Sequence, residues 1–302
     1  MLRRTFTRSL LGSLAVLPFQ GFGQNRRKMF LDSDTANEID DLYAIVRAVL
    51  DPSFQVVGLG AAQWHTNISP PDTMLQSQKL NTDLLRLMGR EDIPAPQGSE
   101  LAMGMPWGGE EPRDSPAAQL MIRQARAMPA SQKLLIVSTG AVTNVASAVK
   151  LAPDIVPKIA CYSMGARFYA DRNLWNKDEF NVRNDLNAAN FLLNQPGLEV
   201  HIMPANVCGK LVFDQADTLG RLQGKGRVWD YLAARWLSVA PESKSWIMWD
   251  LALIEALARP GLAKEAAFKT PPENEQRDVF VYTDIDASAM RADWWKVSQA
   301  HA

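Results

Sequence analysis

Short apolar runs alternate with amphipathic runs of helical period along most of this chain, and that alternation leaves few architectures open. Lys28–Leu31, Phe54–Ala62, Leu134–Ser138, Ile159–Ser163, Leu198–Met203 and Val279–Tyr282 read as strands. Ile39–Leu50, Thr73–Met88, Ala117–Ala127, Asn144–Leu151 and Asp185–Leu193 read as helices between them. Residues 93–109, rich in Pro and Gly, read as loop. Then Asp214–Leu222, Val228–Val239 and Asp250–Ala258 follow one another as helices, and Asp286–Val297 as a closing one. This pattern predicts an α/β fold: an open, mostly parallel, Rossmann-like sheet flanked by helices, in a single domain with a helical excursion. At 302 residues and 47% hydrophobic, the chain can bury its core without staples. Two cysteines, Cys161 and Cys208, exclude a disulfide framework. A net charge of −1 carries no nucleic-acid footprint.

The first residues do not belong to that pattern. Residues 1–24 place Arg3, Arg4 and Arg8 before an apolar run, Leu10–Phe19, and then small residues at Gly21 and Gly23. This is the layout of a signal peptide, too short for a membrane span. Arg3-Arg4-Thr5-Phe6 resembles a twin-arginine export signal. The expectation is a mature domain over residues 25–302, periplasmic or secreted, with no membrane contact once the signal is removed.

In open parallel sheets, ligands bind beyond the carboxyl ends of the strands. Just past the first strand this chain carries Asp32, Asp34, Glu38, Asp40 and Asp41. Packed together, these acids would repel one another. A hard cation such as calcium or magnesium removes the penalty by taking several oxygen ligands. With only His65, His201 and His301, an oxygen-held metal is the natural expectation. Helix capping explains acids at a helix start. It does not explain the strand-end Asp34 or the adjacent pair Asp40-Asp41.

These residues resemble the amino-terminal signature of the inosine-uridine-preferring nucleoside hydrolases, D-x-D followed by a turn and D-D. Further landmarks follow in order: Val137-Ser-Thr139-Gly-Ala-Val-Thr-Asn144, Met164-Gly165, Asn173 with Glu179-Phe180-Asn181, and Trp249-Asp250. The resemblance implies a nucleoside hydrolase fold that cleaves the N-glycosidic bond of ribonucleosides to ribose and free base. It implies a calcium ion held by Asp34, Asp41, Asp250 and the Thr139 carbonyl. Asp34 also matches the general base that takes a proton from a calcium-held water. Asp40, Asn181 and Asp250 match the residues that hold the 2′- and 3′-hydroxyls, and Asn173 and Glu179 those that bind the 5′-hydroxyl. The partner implied is a small-molecule nucleoside, and family members are commonly homo-oligomers.

The departures are specific. Asp34 and Asp40 lie six residues apart, where the family's common turn takes four, and the usual Pro-Gly is missing from Thr35–Ile39. The family's common His before the late Asp is Trp249 here, which can stack on a base or pack into the core. With no imidazole there, His65, just past the second strand, is the first candidate for the leaving-group acid; the plainer reading is an ordinary loop histidine. Two rivals remain at this level. A haloacid-dehalogenase-like phosphatase also uses a strand-end D-x-D, with magnesium and the first Asp as nucleophile. That family takes Thr or Val where this chain has Ala36, and does not predict the later Glu-Phe-Asn. An exported relative that binds a nucleoside or sugar without cleaving it is the other.

Overall fold

The computed structural model describes residues 26–104 and 109–301. The export-signal segment, residues 1–24, lies outside the described residues. The chain runs β1 (Arg27–Ser33), α1 (Asp40–Leu50), β2 (Phe54–Ala61), α2 (Thr73–Leu87), α3 (Pro116–Arg126), β3 (Leu134–Ser138), α4 (Thr143–Leu151) and β4 (Ile159–Met164). A small hairpin follows, β5 (Arg167–Tyr169) and β6 (Leu174–Asn176), then α5 (Phe180–Asn184), α6 (Leu186–Asn194) and β7 (Glu199–Met203). Next come α7 (Ala205–Cys208), β8 (Val212–Asp214), α8 (Gln215–Leu222), α9 (Arg227–Val239), β9 (Ser245–Ile247) and α10 (Trp249–Ala258). The chain closes with β10 (Ala263–Lys269), β11 (Asp278–Ile285) and α11 (Ala287–Ala300).

Seven strands form one sheet in the order β10-β11-β7-β4-β3-β1-β2, parallel except for the antiparallel edge strand β10. The central strands β1 and β3 are largely apolar on both faces because helices cover both. Leu31, Leu135 and Val137 point into one core with α1, α9, α10 and α11. Phe30, Leu134 and Ile136 point into the other with α3, α4 and α6. The chain leaves β1 for β2 on one side and returns to β3 on the other. The β1–β3 seam is therefore the point where strand order reverses, and it is where such sheets place their ligands. Asp34 follows β1 and Thr139 follows β3.

The alternation read from sequence holds as a mostly parallel α/β sheet. The sequence reading missed β10, whose Ala-Lys-Glu-Ala-Ala-Phe-Lys is largely exposed and lacks an apolar period. It also missed the hairpins β5–β6 and β8–β9, where each strand is three residues long. Cys161 and Cys208 are both buried and unpaired. Among the described residues no helix is long and apolar enough to cross a membrane.

Candidate active site

The two extra residues between Asp34 and Asp40 are absorbed by a tight turn. Asn37 N–H donates to the Asp34 carbonyl at 2.8 Å. The turn is tied to α2 by the Thr35 hydroxyl on Asn81 Oδ1 and by Ala36 N–H on Ser77 Oγ at 3.3 Å. Asn81 in turn donates to the Gly60 carbonyl of β2 at 3.1 Å. The loop is thereby fixed, and α1 still opens on Asp40 and Asp41, both buried. The late Asp arrives in the second residue of α10, and its backbone N–H donates to Asp40 Oδ2 at 3.1 Å.

Asp34, Asp40, Asp41 and Asp250 are each no more than 3% exposed, and all four line one cavity of about 350 Å³. That volume lies in the range of small-ligand sites. Oxygens of Asp40, Asp41 and Asp250 all fall within 4.8 Å of one another. The tightest group thus includes Asp40, which the resemblance gives to the sugar, and Asp34 joins it through Asp41. Gly140 lies against Asp34. A Cβ there would come within 2.9 Å of the Asp34 Cβ, so a side chain at this position would push the carboxylate away.

The electrostatics are those of crowded buried acids. Burial, reinforced by repulsion from neighbouring carboxylates, holds Asp34 and Asp250 well above the usual carboxylate range. Burial and Asp41 push Asp40 up to about 7. Burial first, and then Glu38, push Asp41 up to about 7 against the hydrogen bond from Thr139. Because these folded-state values are raised, the metal-free protein loses stability as pH climbs from about 4 through about 7. Asp34 Oδ2 and Asp250 Oδ1 are buried with no hydrogen-bond partner. Orphaned, mutually repelling carboxylate oxygens fit a hard divalent cation, which supplies both positive charge and a partner.

The remaining groups complete the site. Thr139 Oγ1 donates to Asp41 Oδ1 at 2.8 Å. Asn181 Nδ2 donates to the carbonyls of Thr139 at 2.7 Å and Met164 at 3.2 Å. This leaves Asn181 Oδ1 to accept from an incoming hydroxyl, and one lone pair on the Thr139 carbonyl. Glu179 Oε2 takes the N–H groups of Ala166 and Val182, each at 3.2 Å, and so caps α5. Trp249 lines the cavity and also packs against the larger core.

Two expected site residues are not brought to the cavity. Asn173 sits in the left-handed turn of the β5–β6 hairpin, φ 48°, and is exposed. His65 is also exposed, its backbone N–H donates to Asn184 Oδ1 at 2.7 Å, and it does not line this cavity. The sequence reading did not single out Arg167, Asp178 and Arg183, which line the cavity. Arg167 stands three residues past the end of β4, where the strand-end rule itself points. Asp32 faces elsewhere: it is fully buried, braced by Asn144 Nδ2 at 3.0 and 3.3 Å, and does not line the cavity. A phosphatase nucleophile at Asp32 is incompatible with that placement.

A parallel sheet that gathers buried aspartates at its switch point defines an α/β protein with an acidic, metal-fitting pocket. The model of the inosine-uridine preferring nucleoside hydrolase family matches residues 29–301, and the chain belongs to that family of hydrolases acting on N-glycosyl bonds. A probable uridine nucleosidase from Oryza sativa subsp. japonica is 25% identical over 67% of this chain and 66% of its own length. The chain thus spans about two thirds of that relative. Among solved structures, a purine-preferring ribonucleoside hydrolase from Gardnerella vaginalis superposes with a TM-score of 0.68 at 18% identity, over 90% of this chain and 98% of that one. An inosine-guanosine nucleoside hydrolase does so with a TM-score of 0.71 at 17% identity and the same coverage. At these identities the superpositions carry the fold.

Proposed function

We propose that this chain hydrolyses the N-glycosidic bond of ribonucleosides with a calcium ion as its metal. The observation that carries the reading is the four buried aspartates on one cavity, two of them with orphaned oxygens. Asp34, Asp41, Asp250 and the Thr139 carbonyl would hold the ion, with Asp40 close enough to share it. When bound, calcium offsets the carboxylate charge and makes a nearby water more acidic. Asp34, through its unpartnered Oδ2, takes the proton of the attacking water. Asp40, Asp250 and Asn181 Oδ1 accept from the ribose 2′- and 3′-hydroxyls and fix C1′ before that water. Breaking the bond puts negative charge on the departing base.

No imidazole lines the cavity to neutralise that charge, and the indole of Trp249 is no acid. For His65 to serve, its loop would have to close over the site. The expected result is that 4-nitrophenyl riboside, whose phenolate needs no proton, turns over faster than inosine. His65→Ala is the discriminating variant. Selective loss of inosine turnover places His65 as the acid, whereas unchanged rates for both substrates leave it a loop residue. If neither substrate is cleaved with calcium present, the binding-protein alternative replaces the hydrolase reading.

We also propose export of the chain and cleavage near Gln24, on the Arg3-Arg4 pair and the apolar run behind it. Amino-terminal sequencing of protein from an export-competent host is expected to find the mature start. An intact Met1 in the cytosolic fraction contradicts it.

A further inference from the structure

Charge is divided unevenly around the cavity. Its two guanidiniums both belong to the side built by β5, β6 and α5, and both are matched there. Arg183 Nη1 pairs with Asp178 Oδ1 at 2.6 Å. Arg167 Nη1 donates to the Asp178 carbonyl at 2.5 Å, and its charge acts on Glu179. The other side, built by the β1–α1 turn and the start of α10, carries carboxylates and no cationic side chain. A calcium ion held by Asp34, Asp41 and Asp250, and shared with Asp40, leaves one carboxylate there without a counter-charge. That residue is Glu38.

Glu38 belongs to the longer turn of this chain, which is clamped on α2 through Thr35 and Ala36. It lines the cavity, and its Oε2 is buried with no hydrogen-bond partner. The charges that act on it most are Asp40 and Glu179, both carboxylates. It stands outside the close group formed by Asp40, Asp41 and Asp250. Trp249 and Phe180 bring aromatic surface to the same cavity, and no histidine, lysine or tyrosine lines it. Aromatic surface and an unpaired carboxylate together suit a flat cation. The leaving-group problem has the same answer. A neutral base departs as an anion among carboxylates unless an acid protonates it. A base that is cationic in the nucleoside departs neutral and needs no acid.

We propose that this cavity favours ribonucleosides whose base carries a positive charge, of the N-ribosylpyridinium class, and that Glu38 is the specificity-determining residue that reads the charge. The inference rests on the hydrolase reading and narrows its substrate class. Water adds its oxygen to C1′ and gives a proton to Asp34. The C1′–N bond breaks, and its electron pair stays on the ring nitrogen. The products are ribose, a neutral pyridine and a proton that passes to solvent. Positive charge moves from the ring to the sugar as the bond breaks, so it stays among the carboxylates throughout.

The test compares kcat/KM for the riboside of 3-carbamoylpyridinium with that for 4-nitrophenyl riboside, with calcium, in wild type, Glu38→Gln and Glu38→Asp. Neither leaving group needs a proton, and each substrate's own reactivity cancels when the ratio is compared between variants. A pH of 8.5 keeps Glu38 ionised, above the value of about 8 to which burial and Asp40 push it. Glu38→Gln should lower the ratio by about tenfold or more, the scale of one charge pair in a partly buried site. Glu38→Asp should keep most of it. An unchanged ratio in Glu38→Gln overturns the inference, including the case where both rates fall equally through weaker calcium binding. So does a wild type that cleaves 4-nitrophenyl riboside and leaves the pyridinium riboside intact. Cleavage of neither substrate overturns the hydrolase reading instead, and calorimetry then decides the inference. Binding of 1-methyl-3-carbamoylpyridinium about tenfold tighter than its neutral parent, 3-carbamoylpyridine, with the difference lost in Glu38→Gln, sustains it; equal binding overturns it.

Discussion

Replacing Asp34 by Asn is expected to lower kcat by about 10²–10⁴-fold, the usual contribution of a general base. The amide keeps the size of the carboxylate above Gly140, so the cavity keeps its shape. It cannot take a proton from water, and it removes one of the charges that a cation would neutralise. Binding of the product sugar should change much less than turnover, because the proton transfer belongs to the transition state. Steady-state kinetics beside calorimetry with ribose would separate the two. Asp34→Asn kinetics equal to wild type would remove Asp34 from the role of base.

The second large effect is on stability. Arg47 is fully buried in α1 and donates to Asp51, to Glu255 of α10 and to Asp293 of α11, each at 2.6 Å. Burial pushes Glu255 up to about 7 even against the pull of Arg47. Arg47→Ala should destabilise the protein by about 3–5 kcal/mol, because it leaves an uncompensated buried charge. Asp51 and Asp293 would keep Arg259, at 3.0 and 3.3 Å, so Glu255 is the group left without a partner. A double variant, Arg47→Leu with Glu255→Leu, should therefore recover much of the loss. Thermal denaturation reads both, with Tm falling by roughly 10 °C in the single variant. The same clamp joins the helices that begin with Asp40-Asp41 and carry Asp250, so the single variant should also bind metal more weakly. A Tm within a degree of wild type would contradict the account.

Much of this was legible in the residues because two periods are strong. Leu134–Ser138 could be placed to the residue, since a strand buried on both faces is apolar without interruption. The helix starting at Asp40 was legible from Leu42, Ile45, Val46 and Val49 on one face. Local density also showed the aspartate cluster, and ordered landmarks tied Asp250 to it across two hundred residues. What stayed hidden depends on tertiary contact. Nothing local in Ala263–Lys269 announces a strand, because an exposed edge draws its pattern from the partner β11. Nor does spacing tell that Asn173 turns away while Arg167 faces the cavity; a hairpin of three-residue strands decides that. Arg47 looked like an ordinary helix arginine, and its three carboxylate partners, two of them far along the chain, appear only on folding.

The most direct measurement is reducing-sugar release from a panel of purine and pyrimidine ribonucleosides, by protein stripped with a chelator and then restored with calcium. It is best made at pH 8, above the values of about 7 to which Asp40 and Asp41 are pushed, so that both are ionised. The account predicts that stripping abolishes sugar release, that calcium restores it, and that Asp41→Asn blunts the restoration. Undiminished turnover in the stripped protein, or none from any member of the panel with calcium present, would contradict it.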